Sequence, residues 1–285
     1  MLTIRETPLV PPEPAAGKRD LLTYLRPPKA KISAVIITRN ESRNIRLTLS
    51  RLSWCDEIVI VDSNSSDDTV EICREFGCRV FLKAFEGYGK QKRYAVAQAK
   101  NDWVLCLDAD EVLSEALIWE ILEEFRKGPS CDGYEFPLNL VFLGREFRSG
   151  KESGRYFLRL FNKKSGGFNE ALVHEKIELN GKIGRLNQKM LHFSYSSIQQ
   201  WYEKCNRYTT LAAEEAVRKD KRRSVAAILL ALPYYFIRYY FIDRNFLNGI
   251  EGFYWSVFSS QYHFTKYVKI RTLHGSARQV SRPLH

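Results

Sequence analysis

The chain contains 285 residues, of which 45% are hydrophobic and 27% are charged, and these ordinary globular values exclude a disordered or fibrous protein. Its net charge of +11 is unevenly distributed. Residues 200–285 hold 14 Lys/Arg against 6 Asp/Glu, whereas residues 31–199 hold 25 against 24. A nucleic-acid-binding protein more usually carries its positive charge on its main fold, so the nearly neutral middle argues against nucleic acid as a partner. The basic C-terminal third predicts an acidic partner.

The cysteines and the N-terminal segment indicate where the protein works. The six cysteines lie far apart, without C-x-x-C or zinc-site spacing, and we infer a reducing compartment. Residues 1–30 contain several prolines but no apolar core of a signal peptide, so we interpret them as a flexible, proline-rich leader. We therefore expect the folded part of the chain in the cytoplasm.

Strands and helices are predicted to alternate four times in the first half of the chain. Each apolar run is followed by a segment with helical periodicity, and the last of these helices begins near Ser114. Runs that are apolar on both faces are typical of strands buried in a parallel sheet. The alternation therefore predicts an α/β fold with a mostly parallel sheet and helices on both faces. The predicted strands are residues 32–38, 57–61, 79–82 and 103–107.

The pattern changes after residue 130 to short strands separated by glycine-rich turns, and it becomes helical from residue 197 onward. The predicted short strands are residues 134–142, 156–161 and 173–179. We therefore divide the chain after the leader into a catalytic domain, 31–200, with halves at 31–130 and 131–200, and a basic, aromatic helical region at 201–285.

Polar and acidic residues follow three of the predicted strands. Ligands of α/β sheets bind beyond the carboxyl ends of the strands, so these residues are the first candidates for a site. The chain has no glycine-rich dinucleotide fingerprint and no P-loop. The residues are Thr38, Arg39, Asn40 and Glu41 after the first strand, Asp62 after the second, and Asp108, Ala109, Asp110 and Glu111 after the fourth.

Two of these carboxylates are spaced to act together. Asp108 and Asp110 follow an apolar strand directly, and in an extended segment side chains two residues apart point to the same side. Two oxygen donors on one side suit Mg²⁺ or Mn²⁺ held together with substrate phosphates. The alternative is that Asp110 or Glu111 only favours the N-terminus of the next helix.

Three segments carry a family resemblance. ISAVIITRNES, EIVIVDSNSSDDT and GKQKRYAVAQAKNDWVLCLDADE, in this order and at this spacing, resemble the family 2 GT-A glycosyltransferases. The resemblance implies a GT-A (Rossmann-like) fold, a nucleotide-sugar donor and a divalent metal ion. It also implies that residues 31–130 form the nucleotide-sugar-binding half and residues 131–200 the acceptor half.

The resemblance further implies roles for single residues. Thr38, Asn40 and Glu41 would line the nucleoside pocket, and Asp62 would contact the base or the ribose. Lys92 or Arg93 would lie near the donor, Asp108 would contact ribose or metal, and Asp110 would be the metal ligand. Arg39 stands where many members carry a smaller or different residue. The implied donor-binding set is Thr38, Arg39, Asn40, Glu41, Asp62, Lys92, Arg93, Asp108 and Ala109.

The second half narrows the resemblance. ALVHEKIELNGKIGRL, LHFSYSS and YEKCNRYTTLAAEEA are similar to bacterial lipopolysaccharide-core glycosyltransferases of the β-1,4-glucosyltransferase type. This implies an inverting, metal-dependent enzyme that transfers a sugar, UDP-glucose being the expected donor, to a glycolipid acceptor, the inner core of lipopolysaccharide. The alternatives are transfer to a polyprenyl phosphate and, in a different class, a non-catalytic basic module that binds membrane or nucleic acid.

Glu175 is our candidate for the catalytic base. It follows His174 and an apolar approach, and it lies in the half where acceptor loops are expected. The alternatives are a solvent-facing His-Glu pair on a strand and, as base, Asp132 in the turn CDG. His192 lies between apolar residues and is interpreted either as a third metal ligand beside Asp108 and Asp110 or as a hydrogen-bonded core histidine.

The C-terminal region combines a basic cluster at residues 218–223 with an apolar run at 225–242, and residues 225–271 hold 14 of the 37 aromatic residues. The run has only 18 residues and contains Pro233 and Arg238, which argues against a spanning helix. We therefore predict a helix lying in the interface of an anionic membrane, and a peripheral protein at the cytoplasmic face of the inner membrane. Packing on the catalytic domain and a true span are the alternatives.

Overall fold

The computed structural model describes residues 30–169, 176–195 and 197–280. Contacts between residues divide the chain into two compact units. Within the described residues, the first unit comprises 30–140 and 154–193, and the second comprises 141–153 and 194–280. Residues 141–153, which the sequence analysis assigns to the acceptor half, thus belong to the same unit as the C-terminal helices.

The predicted alternation of strands and helices is confirmed in the first unit. The four strands pair in parallel in the order β3-β2-β1-β4. Both faces of β1 are buried, with Ala34 and Ile36 in one cluster of the core and Val35 in another, which explains its unbroken apolar run. The elements are β1 (Ile32–Thr38), α1 (Ile45–Ser50), β2 (Glu57–Asp62), α2 (Thr69–Glu75), β3 (Arg79–Leu82), α3 (Tyr88–Gln98) and β4 (Trp103–Asp108).

The sheet as a whole is mixed, which corrects the expectation of a mostly parallel sheet. It continues from β4 in the order β8-β6-β12-β5, and the pairs of β4 with β8, β6 with β8 and β12 with β5 are antiparallel. Antiparallel strands can be joined by short turns, whereas parallel strands need long crossovers, and this part of the chain is rich in short turns. These elements are β5 (Glu111–Leu113), α4 (Glu115–Lys127), β6 (Gly133–Phe142), β7 (Arg145–Glu146), β8 (Arg155–Asn162) and β12 (Met190–Tyr195).

Three short strands complete the first unit: β9 (Gly166–Phe168), β10 (Ile177–Leu179) and β11 (Ile183–Arg185). β9 and β10 form a separate antiparallel pair, and β11 pairs in parallel with β6. The predicted strand 173–179 is thus described only over its last residues, since 170–175 lie outside the described part of the chain.

The second unit is largely helical, as predicted from residue 197 onward. Ser197 caps the first long helix by accepting a hydrogen bond from the backbone N–H of Gln200 at 3.1 Å. Buried Asn248 holds residues 148 and 149, since its side chain accepts from the backbone N–H of Arg148 and donates to the carbonyl of Ser149. The elements are α5 (Ile198–Arg218), α6 (Val225–Leu229), α7 (Ala231–Ile237), a π-helical turn (Arg238–Ile242), a 3₁₀ turn (Asn245–Asn248) and α8 (Gly249–Val280).

The apolar run 225–242 is not one helix, which corrects a second expectation. It comprises α6, α7 and the π-helical turn, with a break at Leu230. Pro233 falls in the first turn of α7, where the missing N–H of a proline is tolerated, so a helix starts again just before it. No helix in the described ranges has both the length and the apolar character needed to cross a bilayer.

Candidate active site

The carboxyl ends of β1 and β2 are tied together by hydrogen bonds. Thr38 Oγ1 donates to Oδ2 of the fully buried Asp62 at 2.7 Å, and Asp62 also accepts bonds from the backbone N–H and the hydroxyl of Ser65. The sequence analysis assigned Asp62 to the base or the ribose. In the structure both of its carboxylate oxygens accept bonds from this chain's own groups, so Asp62 shapes the loop after β2.

A second set of bonds links the loop after β1 to the same loop. Asn40 adopts a left-handed backbone conformation with φ 56°, and its side-chain oxygen accepts a bond from the backbone N–H of Ser66 at 2.8 Å. The backbone N–H of Glu41 donates to Thr69 Oγ1 at 2.8 Å. Arg39 is exposed. The polar residues after β1 and β2 therefore form one hydrogen-bonded frame at the expected edge of the sheet.

Asp108, at the end of β4, lies between two cations. Its Oδ1 is 2.8 Å from Nζ of Lys92 on α3, and its Oδ2 is 3.4 Å from a guanidinium nitrogen of Arg159 on β8. Arg159 also donates to Oε1 of the buried Glu111 at 2.6 Å, and Oε2 of Glu111 accepts from the backbone N–H of Asp108 at 3.0 Å. Two carboxylates and two cations thus form a closed network of charge-assisted bonds.

The network keeps Asp108 ionised. Burial alone would raise the pKa of this carboxyl group, but the positive charges of Lys92 and Arg159 outweigh burial and lower the pKa to about 2. Burial likewise favours a neutral Lys92, but the charge of Asp108 raises the pKa of Lys92 above its usual range. The Asp108 side chain is still 35% exposed, so it can accept bonds from a ligand.

Asp110 meets His192, which lies far from it in the sequence. β12 runs antiparallel to β5 with His192 opposite Glu111, and the backbone N–H of Phe193 donates to the carbonyl of Asp110 at 2.8 Å. This register places Nε2 of His192 3.3 Å from Oδ2 of Asp110. Burial lowers the pKa of His192, but the hydrogen bond and the charge of Asp110 raise it more, so its pKa lies above the ordinary value.

The donor atoms of Asp110 and His192 suit a divalent ion. A carboxylate oxygen and an imidazole nitrogen at this separation can occupy neighbouring positions around one ion, and phosphate oxygens and water can complete the shell of Mg²⁺ or Mn²⁺. Asp108, the other expected ligand, contacts cations with both oxygens instead. Within the described part of the chain, no cluster of three or more His, Cys, Asp or Glu side chains forms a complete metal site.

The other site residues predicted from the sequence differ in their burial and hydrogen bonding. Ala109 is buried and its carbonyl accepts a bond from Thr48 Oγ1 at 2.7 Å, while Arg93 is half-buried on α3. His174 and Glu175 lie outside the described residues. Asp132 accepts bonds from the Ser165 hydroxyl and the backbone N–H of Lys182, which lower its pKa and make it a weaker base.

Two residues of the network were not assigned to the donor site from the sequence. Arg159 is not among the polar residues that follow the predicted strands, and Glu111 is among them but outside the implied donor-binding set. A signal for Arg159 exists, since it is a lone charge flanked by apolar residues on both sides in FLRLF. In the structure it is the charge shared by Asp108 and Glu111.

Comparisons with known proteins show the family to which the chain belongs. Residues 33–171 match the model of the family described as glycosyl transferase family 2. The chain is 33% identical over 266 residues to an uncharacterized glycosyltransferase of Rickettsia typhi, covering 88% of this chain and 90% of that protein. It is 30% identical over 254 residues to the lipopolysaccharide core biosynthesis glycosyltransferase LpsC of Rhizobium meliloti, covering 87% and 94%.

Solved structures share a lower sequence identity with this chain. Glucosyl-3-phosphoglycerate synthase from Mycobacterium tuberculosis in complex with phosphoglyceric acid has a TM-score of 0.44 at 18% identity, covering 58% of this chain and 73% of that one. The same enzyme with Mn²⁺ and UDP-glucose gives a TM-score of 0.34 at 21% identity, covering 38% and 44%. The identity to the Rickettsia and Rhizobium proteins extends over most of each chain, and it shows that this protein is a glycosyltransferase and belongs to glycosyl transferase family 2.

Proposed function

We propose that this glycosyltransferase transfers glucose from UDP-glucose to a glycolipid, the inner core of lipopolysaccharide, with inversion at the anomeric carbon. The observation that carries the proposal is the contact of Asp110 with His192 beside the ion-paired Asp108. Asp108 and Asp110 lie at the carboxyl end of β4, the position where α/β sheets bind ligands, and His192 reaches Asp110 from β12. The similarity to LpsC supports lipopolysaccharide core as the acceptor class.

The donor would bind through the frame at the ends of β1, β2 and β4. Thr38, Asn40 and Glu41 would line the nucleoside pocket, since the hydrogen bonds of this loop to the loop after β2 fix its backbone. Asp108 would accept bonds from the ribose hydroxyls, because Lys92 and Arg159 keep it charged and hold its orientation. The Glu111 carboxylate positions Arg159 and the backbone of Asp108.

Asp110 and His192 would hold the divalent ion. When bound, Mg²⁺ or Mn²⁺ would neutralise negative charge on the diphosphate leaving group. The protein's own part is to keep the two donor atoms 3.3 Å apart through the pairing of β12 with β5.

Inversion requires a base on the side of the sugar opposite the diphosphate. We assign this role to Glu175, whose carboxylate would take the proton of the acceptor hydroxyl as the oxygen attacks the anomeric carbon. The bond from the anomeric carbon to the diphosphate breaks as the new glycosidic bond forms, so no covalent sugar–enzyme intermediate is required. The setting of Asp132 supports this choice, since its hydrogen bonds weaken it as a base.

The acceptor is proposed to reach the enzyme at a membrane. The excess of Lys/Arg over Asp/Glu after residue 200 supports contact with an anionic surface, and we place the protein peripherally at the cytoplasmic face of the inner membrane. The exposed apolar side chains of α6 and α7 support the same contact.

The test is a screen for hydrolysis of nucleotide sugars by the intact protein with Mg²⁺ or Mn²⁺, followed by transfer to truncated lipopolysaccharide and to polyprenyl phosphate. We expect metal-dependent hydrolysis of UDP-glucose and transfer to the lipopolysaccharide acceptor. Asp102→Asn is the matched control for Asp110→Asn, because the Asp102 side chain is 46% exposed and pairs with Lys164. Transfer to polyprenyl phosphate alone would contradict the proposed acceptor, and hydrolysis unaffected by Asp110→Asn would contradict the proposed donor site.

A further inference from the structure

Two cations in the second unit share one aromatic ring. The guanidinium carbon of Arg223 lies 4.5 Å from the ring centroid of Tyr267, and Nζ of Lys266 lies 5.6 Å from the same centroid. Tyr267 is buried in a small apolar cluster with Ile228 and Ile270, so its ring is a fixed support for both cations. Stacking on an aromatic face holds a cation in place without neutralising its charge.

Neither cation is neutralised by an ion pair within the part of the chain that the structure describes. Among the described residues, the side chains of Arg223 and Lys266 make no ion pair, whereas two other basic residues of the preceding segment do. Lys219 pairs with Glu215, and Arg222 pairs with Asp220. Burial and the charge of Arg223 lower the pKa of Lys266, in keeping with two positive charges that lack an anion between them.

The helix that follows Arg223 exposes large apolar side chains. α6 begins at Val225, and it buries Ile228 toward Tyr267 while Leu229 and the adjoining Leu230 are 69% and 62% exposed. An interfacial helix buries its apolar face roughly 5–10 Å into the boundary between headgroups and acyl chains. Arg223 and the two exposed leucines thus lie within one short segment, and this combination of a cation with apolar side chains suits a lipid phosphate and its acyl chains.

We propose that Arg223 and Lys266 form a binding site for the phosphate group of an anionic membrane lipid, with Leu229 and Leu230 inserted among the acyl chains. The site deepens the proposed function, on which it rests in taking the acceptor to be membrane-embedded. It adds a defined point of attachment, which differs from a general attraction of all basic residues to the membrane. The ring of Tyr267 is the rigid support that holds both cations against one phosphate group.

The test is binding of the intact protein to vesicles of phosphatidylglycerol and phosphatidylcholine, measured by cosedimentation. Arg223→Gln/Lys266→Gln should weaken binding about tenfold or more, since each basic residue at such a surface contributes on the order of 1 kcal/mol. Lys219→Gln/Arg222→Gln removes the same formal charge from residues that are already paired, and it should weaken binding less than about threefold. Equal losses in the two double variants would overturn the proposal, because they would show only diffuse attraction.

Further double variants test separately the insertion of the leucines and the role of positive charge in vesicle binding. Leu229→Gln/Leu230→Gln should release the protein from the same vesicles, whereas Ile198→Gln/Leu211→Gln, which changes two exposed residues of α5, should not. Unchanged binding of the first of these variants would contradict insertion. Arg223→Lys/Lys266→Arg keeps both positive charges and should bind the vesicles like the wild-type protein. Loss of binding in a folded variant would contradict a simple phosphate contact.

Competition with inorganic phosphate tests whether the site binds a phosphate group carried by a lipid or free phosphate. Added at ionic strength matched with chloride, it should change vesicle binding by less than about twofold, since it offers no acyl chains. Full displacement by phosphate but not by chloride would overturn the lipid assignment.

Hydrolysis of UDP-glucose by Arg223→Gln/Lys266→Gln is measured in parallel. If it persists while vesicle binding is unchanged, only this inference fails, and if the wild-type protein hydrolyses no nucleotide sugar, the proposed function fails independently.

Discussion

Asp110 Oδ2 lies 3.3 Å from Nε2 of His192, and this contact joins the turn after β4 to the C-terminal part of the first unit. The backbone bond from Phe193 to Asp110 and the pairing of β12 with β5 determine the contact. Asp108, two residues earlier, contacts Lys92 and Arg159 instead. The two aspartates of the D-A-D motif therefore have different environments, one between cations and one beside a metal-competent imidazole.

The buried pair of Arg159 and Glu111 should contribute strongly to stability. Arg159→Met would leave the Glu111 carboxylate, which is 2% exposed, without its charged partner. Loss of one member of a buried pair costs about 3–5 kcal/mol in the free energy of unfolding. Arg185→Met is the control, because Arg185 pairs with Glu135 but is itself 69% exposed, and it should cost no more than about 1 kcal/mol. Urea denaturation of both variants measures the difference, and equal costs would contradict the structural role of the network.

Glu175→Gln tests the assignment of the base. The amide keeps the shape of the side chain but cannot take a proton, so kcat should fall by roughly 10²–10⁴-fold while the Kd for UDP-glucose stays near normal. Glu178→Gln is the control, since Glu178 is exposed and its carboxylate accepts a hydrogen bond from the side chain of Asn169. Near-normal turnover of Glu175→Gln would exclude Glu175 as the base, and a weakened Kd would make it a donor contact instead.

Stability of the second unit should depend on His263. Burial, followed by the charges of Lys266 and Arg238, lowers the pKa of His263 to about 4, and its ring stacks on Tyr235 with its Nε2 bonded to the Tyr239 hydroxyl. The folded state thus disfavours the protonated ring, so stability is fully present above the ordinary histidine pKa of about 6.5 and is lost as the pH falls toward 4.

The loss should amount to about 1–3 kcal/mol in the free energy of unfolding between pH 7 and pH 4. His263→Gln should flatten this part of the pH profile. The measurement is urea denaturation at several pH values. A wild-type profile that does not fall between pH 6.5 and pH 4, or one that is identical in His263→Gln, would contradict the assignment.

The strands of the first half could be predicted closely from the sequence. Residues 32–38 and 79–82 match β1 and β3, and 103–107 ends one residue before β4. These strands are buried on both faces or flanked by clear turns, so a local pattern determines them. The helical start at Ile198 was also predictable, because Ser197 is a capping residue directly before it.

The charge network and the mixed sheet could not be predicted in the same way. Arg159 reaches Asp108 because β8 pairs antiparallel with β4, with Leu160 opposite Leu105, and no local pattern encodes that register. His192 was named as a metal ligand or a core residue, and only the pairing of β12 with β5 brings it to Asp110. The break in the run 225–242 has a local cause in Pro233, but hydrophobicity alone hides it.

The most direct test of the account is calorimetry of UDP-glucose binding to the wild-type protein and to Asp110→Asn, with and without Mn²⁺. The substitution replaces one anionic oxygen ligand, so the gain in donor affinity on adding Mn²⁺ should fall at least about tenfold. Asp102→Asn should keep the full gain, since the half-exposed Asp102 pairs with Lys164 rather than with His192. A gain as large in Asp110→Asn as in the wild-type protein would contradict a metal-dependent donor site at Asp110 and His192.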